Sequence, residues 1–352
     1  MELNDCLAFV TEKTMRPIWL SLLAFFLFPI SLPAQNRFRV MEYNVENLFD
    51  CKHDTLKNDK EFMSDAIKKW TYFRYRDKLL KIAKVIAAAG QEYIPDLVAL
   101  CEVENDHVIR DLIFYSPLKE VGYNYVMTSS PDQRGIDVAL LYQPGTFKLL
   151  DSRSIPIPSA QINRLPTRDI LHVTGKVMSG DTLDVWVCHM PSRSGGQKES
   201  EPYRLFTASI LKAQVDSIMR VRTHPSILIT GDFNDYPTDA SIAKVLDARA
   251  PSASIEAGKL YNLMDGRKGE GTYRYRGEWG VLDQMIVSGN LLSGEAKFHT
   301  SYEQARILNF PFLLIEDERY GGSTPFRTYW GARYQGGYSD HLPVLLELNV
   351  GN

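Results

Sequence analysis

Short, almost uninterrupted apolar runs recur along this chain, and most of them stop at a polar or ionisable residue. They cover residues 38–45, 97–103, 138–142, 170–177, 183–189, 226–230, 281–287 and 342–348. Stretches such as Leu-Val-Ala-Leu-Cys and Ile-Leu-Ile-Thr lack the alternation of a half-solvated strand, so they read as strands buried on both faces. A sheet of such strands needs a covering layer on each side. Helices supply part of that cover. Leu79, Leu80, Ile82, Ala83, Val85 and Ile86 form an apolar stripe, and Gly90 is a C-cap residue type. A second helix is expected over 202–221, and a third near Thr238 or Asp239, after Pro237. Strands separated partly by helices and partly by hairpins give a mixed α/β class. No low-complexity linker or repeat divides residues 35–352, so one domain is expected there. Segments 266–280 and 320–337, rich in Gly and aromatics, read as long loops beside strand ends.

From Met15 the chain shows a basic start at Arg16, an apolar run over 18–30, and Leu32-Pro33-Ala34 before Gln35. That is the pattern of a secretory signal with its cleavage site, so residues 1–34 are expected to be a signal peptide and the product exported to the periplasm or beyond. Residues 1–14 fit poorly in front of such a signal, which makes Met15 an alternative start. The apolar run is shorter than the about 20 residues of a membrane span, and Pro29 and Pro33 interrupt it.

The formal charge is -3; Glu2, Asp5, Glu12, Lys13 and Arg16 contribute -1 in the leader, which leaves -2. Such a balance lacks the broad basic footprint of a tight nucleic-acid binder, although an enzyme that turns nucleic acid over needs only a local positive groove. Cys51, Cys101 and Cys188 match no zinc or disulfide spacing. Cys101 and Cys188 precede Glu102 and His189 directly. Strand neighbours face opposite ways, so both thiols are expected in the core.

The polar strand ends carry the chemistry. Asn44, Glu46 and Asn47 close the first run; Glu102 stands inside the second; His189 ends the fifth; Gly231-Asp232-Phe233-Asn234 follows the sixth; Asp283 lies in the seventh; Asp340-His341 opens the last. Singly, each has a plain structural reading: a turn for Gly-Asp-Phe-Asn, a salt bridge for Glu102, a satisfied core histidine for His189 or His341. In this order and company, however, Met-Glu-Tyr-Asn-Val-Glu-Asn, Val-Ala-Leu-Cys-Glu-Val, His-Met-Pro-Ser-Arg, Gly-Asp-Phe-Asn, Leu-Asp-Gln-Met-Ile-Val and Ser-Asp-His-Leu-Pro-Val resemble the endonuclease/exonuclease/phosphatase superfamily across residues 38–348. Arg134-Gly-Ile-Asp137, Pro-Ser-Arg193-Ser-Gly-Gly and Gly-Gly-Tyr-Ser-Asp-His look most like its secreted bacterial members.

The resemblance implies a four-layered α/β sandwich, two packed mixed β-sheets flanked by helices. It also implies hydrolysis of a phosphoester with a divalent metal. Mg²⁺ or Mn²⁺ suits the hard oxygens, and Ca²⁺ is an alternative. Glu102, Asn44 and Asp340 are the expected metal residues. Asp232 would orient or deprotonate the attacking water, with Asn234 beside it. Asp283 would fix the ring of His341, and His189 would donate to a phosphoryl oxygen. Arg193 and Arg204 are candidate phosphate clamps, with surface ion pairs as the alternative. Tyr273, Tyr275 and Trp279, interleaved with Arg274 and Arg276, could stack on a substrate ring or form a hairpin of cross-strand aromatic pairs. The first functional reading is a nuclease or phosphodiesterase. The second is a phosphomonoesterase or lipid-headgroup phosphoesterase, and the third is a binding protein on this fold. The partner is the phosphoester itself, and a monomer without a stable protein partner is expected.

Overall fold

The computed structural model describes residues 37–351 except 92, 252, 253, 268 and 295. The expected signal peptide lies outside the described residues. In chain order, β1 (Arg37–Leu48), β2 (Leu97–Val103), β3 (Asn124–Met127) and β4 (Asp137–Tyr142) enter the first sheet. Then β5 (Phe147–Ile155), β6 (Ile170–Val177), β7 (Thr182–His189), β8 (Ser226–Asp232), β9 (Ala248–Arg249) and β10 (Leu260–Asn262) enter the second. A hairpin of β11 (Tyr273–Tyr275) and β12 (Glu278–Gly280) precedes β13 (Asp283–Ser288) of the second sheet. The chain returns to the first sheet with β14 (Phe298–His299) and β15 (Ala305–Ile307) and makes two hairpins, β16 (Leu314–Glu316) with β17 (Ser323–Pro325) and β18 (Tyr329–Trp330) with β19 (Arg333–Tyr334). It closes with β20 (Val344–Val350).

The sheet orders are β14-β20-β1-β2-β4-β3, with β15 also on β20, and β5-β6-β7-β8-β13-β10-β9. Both sheets share one central plan. A parallel pair, β1–β2 or β7–β8, is flanked by antiparallel strands, β20 and β4 in one case and β13 and β6 in the other. A parallel pair needs a crossover. Helix Tyr72–Gly90 provides it for the first pair and helix Gln197–Val221 for the second.

Strand alternation sorts the apolar residues into layers. Val40, Leu97, Ala99 and Leu140 meet Val173, Val185, Val187, Leu228 and Met285 between the sheets. On the outer face of the first sheet, Met41, Tyr43, Val98 and Leu100 pack on Leu79, Ile82, Val85 and Ile86. On the outer face of the second, Trp186, Ile227 and Ile229 pack on Leu211 and Val215. The fold is therefore the four-layered α/β sandwich. Among the described residues no helix is long and apolar enough to cross a membrane.

Three local expectations need correcting. The second helix begins at Gln197, five residues ahead of Pro202, which lies inside it. Gly90 is the last helical residue, and Gln91 caps the helix at φ 51°, ψ -100°, its N–H donating to Ala88 O; a Cβ on Gly90 would make a tight 3.3 Å contact with Pro95 Cδ. The third helix is a single turn, Ser241–Val245. Segments 266–280 and 320–337 each contain a short hairpin, β11–β12 and β18–β19.

Candidate active site

The two parallel pairs point their carboxyl ends at the same edge of the sandwich, and the antiparallel neighbours β13 and β20 begin there. The inward-facing rows turn from apolar to polar at this edge: Val40-Glu42-Asn44, Val185-Val187-His189, Leu228-Thr230-Asp232 and Val287-Met285-Asp283. His189, Asp232 and Asp283 stand in one register row across β7, β8 and β13. His341 joins from the segment entering β20, bridged to Tyr273.

The side chains converge. His341 Nδ1 is 2.8 Å from Asp283 Oδ2. Its Nε2 is 3.8 Å from Asp232 Oδ2, which also lies 3.6 Å from His189 Nε2. Asn44 Nδ2 donates to Asp232 Oδ2 at 3.0 Å, and the Asn234 amide donates to Asp232 Oδ1 at 2.8 Å. Glu102 Oε1 is 3.9 Å from His189 Nε2 and 3.7 Å from Arg134, and its Oε2 accepts the Asn47 amide at 2.8 Å. Asp340 lies at the rim, 3.9 Å from Arg327.

Backbone strain collects here. Glu46, Asn47, Glu102 and Asn234 all have φ between 51° and 65°. Left-handed non-glycine residues are held only where surroundings over-determine them, and they concentrate at functional sites. Glu102 reaches the cleft by this means: Cys101 faces the inter-sheet core, and a bulge after it turns the next residue. Gly231 has no alternative, since a Cβ would sit 1.9 Å from the Cys188 carbonyl oxygen. Cys101 and Cys188 are buried and free.

Burial pushes the Asp232 carboxyl up to about 7, with His341 opposing and Asp283 adding to the shift. For His341, burial favours the neutral ring, yet Asp283 and Asp232 outweigh it and hold the ring cationic, well above the usual histidine range. His189 is driven the other way, by burial and then by the Arg168 and Arg134 guanidiniums, and is neutral. The edge thus holds a cationic imidazole beside a carboxylate of raised basicity.

Among the described residues, Asp232, Asp283 and His341 offer ligand atoms within 4.8 Å of one another. The Asp283–His341 hydrogen bond makes that trio a dyad facing a carboxylate. Glu102, whose Oε1 lies 3.7 Å from Arg134 and 3.9 Å from His189, and Asp340 at the rim are carboxylates, the hard oxygen donor type a divalent ion takes.

Several expectations change. Asn44 donates its amide N–H to Asp232 and accepts the Glu46 N–H on its oxygen, so in this structure it orients Asp232. Arg204 is no phosphate clamp: it is wholly buried, its Nε 2.6 Å from Asp235 and its fork on the Pro191 and Gln197 carbonyls. Arg193 is largely engaged by Asn234 O and Asp239. Trp279 is half-buried against the outer core and Tyr275 is exposed, while Tyr273 reaches the centre, its ring 4.9 Å from that of His341. The sequence reading missed the buried acid Glu42, the buried Lys78, and Arg327. Glu42 had a signal: it stands two residues before Asn44, on the same strand face.

Comparison with known proteins agrees with this architecture. A model described as "Endonuclease/Exonuclease/phosphatase family" matches residues 39–350. No curated protein matches the chain. Similar solved structures include the mannosyl-6-phosphatase of Bacteroides thetaiotaomicron, 17% identical, covering 88% of this chain and 99% of that one, TM-score 0.55. The human Nocturnin catalytic domain with bound sulfate is 19% identical over 89% and 94% of the chains, TM-score 0.52. D. rerio TDP2 complexed with a single-strand DNA product is 15% identical over 89% and 99%, TM-score 0.53. With a family match over nearly the whole described chain, this protein belongs to the endonuclease/exonuclease/phosphatase family.

Proposed function

We propose that this chain is an exported, divalent-metal-dependent phosphoesterase that cuts phosphodiesters, as a nuclease or phosphodiesterase. One observation carries the reading: Asp232 faces His341 and His189 across gaps of 3.8 and 3.6 Å. Gaps of that size are too long for direct hydrogen bonds and suit a small oxygen ligand bridging the three. The apolar run at 18–30 supports export. The DNA product on TDP2 and the sulfate on Nocturnin are ligands a phosphoester site of this fold would take.

The residues divide the work. Asp232, held by Asn44 and the Asn234 amide, accepts the proton of the water that attacks phosphorus. His341, its ring fixed by Asp283, presents Nε2–H to a phosphoryl oxygen and stabilises the charge that builds there. His189 lines the opposite wall. A divalent ion on Glu102, with Asp340 at the rim, would neutralise phosphoryl and leaving oxygens.

The test is hydrolysis of plasmid DNA, RNA, bis- and mono-p-nitrophenyl phosphate, sphingomyelin and phosphoinositides, each with Mg²⁺, Mn²⁺, Ca²⁺ or EDTA. Metal-dependent cleavage of diesters ahead of monoesters is expected. Absence of metal-dependent turnover on the whole panel rejects the reading, and a preference for monoesters or lipid headgroups replaces it with the corresponding phosphatase.

A further inference from the structure

Most arginines around the site are already spent. Arg204 is paired with Asp235; Arg193 is held by Asn234 O and Asp239; Arg168 is held by Asp132 and the Met190 carbonyl. Arg274 is held by Asp317 and three carbonyls. Arg327 differs. Among the described residues its one ion-pair partner is Asp340, at the long distance of 3.9 Å. The guanidinium lies against the hydroxyl of Tyr273, the residue whose ring packs on His341. It also stands 4.9 Å from the centroid of Trp330, a residue 54% exposed.

This position is preset. The amides next to Arg327, those of Thr328 and Tyr329, donate to the Glu46 carboxylate at 2.5 and 3.1 Å. Lys78, fully buried, donates to Thr328 Oγ1 and the Tyr338 carbonyl. Across the loop base, the Gly337 amide donates to Arg327 O, and a Cβ on Gly337 would lie 2.4 Å from that oxygen. A guanidinium with only a distant counter-charge thus rises from a fixed backbone, between the tyrosine that packs on His341 and the partly exposed Trp330. Arginine matches phosphoryl oxygens through its fork, and an exposed tryptophan stacks planar rings.

We propose that Arg327 and Trp330 form a specificity subsite for nucleotide-type phosphoesters, Arg327 binding a phosphoryl oxygen next to His341 and Trp330 stacking on the planar ring of the substrate. The proposal rests on the phosphoesterase reading for its catalytic consequence, though not for binding itself.

The test is equilibrium binding of inorganic phosphate, glycerol 3-phosphate and thymidine 5′-monophosphate to the full protein by calorimetry, with KM for a thymidine dinucleotide measured alongside. In the wild type, thymidine monophosphate binds more tightly than glycerol 3-phosphate. Arg327→Ala weakens all three ligands and raises KM by about tenfold or more, and Arg327→Lys recovers part of the loss. Trp330→Ala weakens only thymidine monophosphate, by about five- to hundredfold, and leaves phosphate and glycerol phosphate unchanged. Melting by circular dichroism monitors the fold, and Arg327→Gln substitutes where the alanine variant does not fold. Wild-type phosphate affinity in a folded Arg327 variant overturns the clamp. Equal binding of thymidine monophosphate and glycerol phosphate overturns the stacking platform. Arg327-dependent binding without any hydrolysis rejects the proposed function and leaves the subsite standing.

Discussion

Asp283 and His341 stand 58 residues apart in the chain and share a 2.8 Å contact from carboxylate Oδ2 to ring Nδ1. That contact joins the second sheet to the segment entering the last strand of the first, so the dyad forms only when the sandwich closes. His341→Ala and Asp283→Asn are each expected to lower turnover at least roughly a hundredfold, the scale of a positioned proton donor or acceptor. Steady-state kinetics on a diester, with circular dichroism to confirm folding, decide it; near-normal turnover in either variant removes the dyad from the chemistry.

Asn44 holds Asp232 from β1 of the opposite sheet. Asn44→Ala leaves a buried carboxylate short of one donor, and turnover should fall by about tenfold or more through misplacement of the base. Because the loss falls on orientation, kcat should change more than KM. A variant with raised KM and normal kcat would show that Asn44 binds substrate instead.

Removing Arg204 leaves the buried Asp235 with only Ser241 and a more distant Arg193 as partners. Arg204→Met is expected to reduce stability by about 3 kcal/mol, in the range for breaking a buried ion pair. Urea unfolding measures it. A variant of wild-type stability whose only defect is a raised KM would restore the phosphate-clamp role.

Asp184 governs acid stability. Burial opposes ionisation of its carboxyl, but His172, Thr174 and Arg222 outweigh burial and hold it below the usual aspartate range. A carboxyl depressed by folding adds stability above its unfolded value near about 4, and that stability disappears as pH falls through the folded value. Asp184→Asn should therefore destabilise at pH 7 by about 2 kcal/mol, and the gap to wild type should narrow below pH of about 4. A gap that stays constant from neutral to acid pH refutes the linkage.

The β11–β12 hairpin offers a contrast between neighbours. Tyr275 is exposed, whereas Trp279 packs on the outer core. Tyr275→Ala should leave the melting temperature unchanged, and Trp279→Ala should lower it through lost burial. Equal melting temperatures for the two variants would show that Trp279 contributes no packing.

The apolar runs indicate a mixed α/β class, and the resemblance of the motifs to a known family supplies the sandwich and most of the centre. Strands buried on both faces announce themselves as uninterrupted apolar runs, since any polar residue there would be stranded without water. A polar residue tolerated at the end of such a run marks the edge where water or substrate enters. Asp232, His189 and His341 stand at such ends and Asp283 inside a run, and it is the resemblance of their motifs to the family that singled them out. Tertiary structure alone decided which of the remaining charges face that edge. Arg193, Arg204 and Arg327 carry the same guanidinium, and nothing in a one-dimensional pattern says that Asp235 neutralises Arg204 while Arg327 meets only a distant Asp340. Lys78, inside the apolar stripe of a helix, was equally opaque: its partners, Thr328 and the Tyr338 carbonyl, lie at least 250 residues away in the chain. Periodicity reports which face of an element is buried. Pairing of charges is set by which elements meet, and only the closed sandwich brings those elements together.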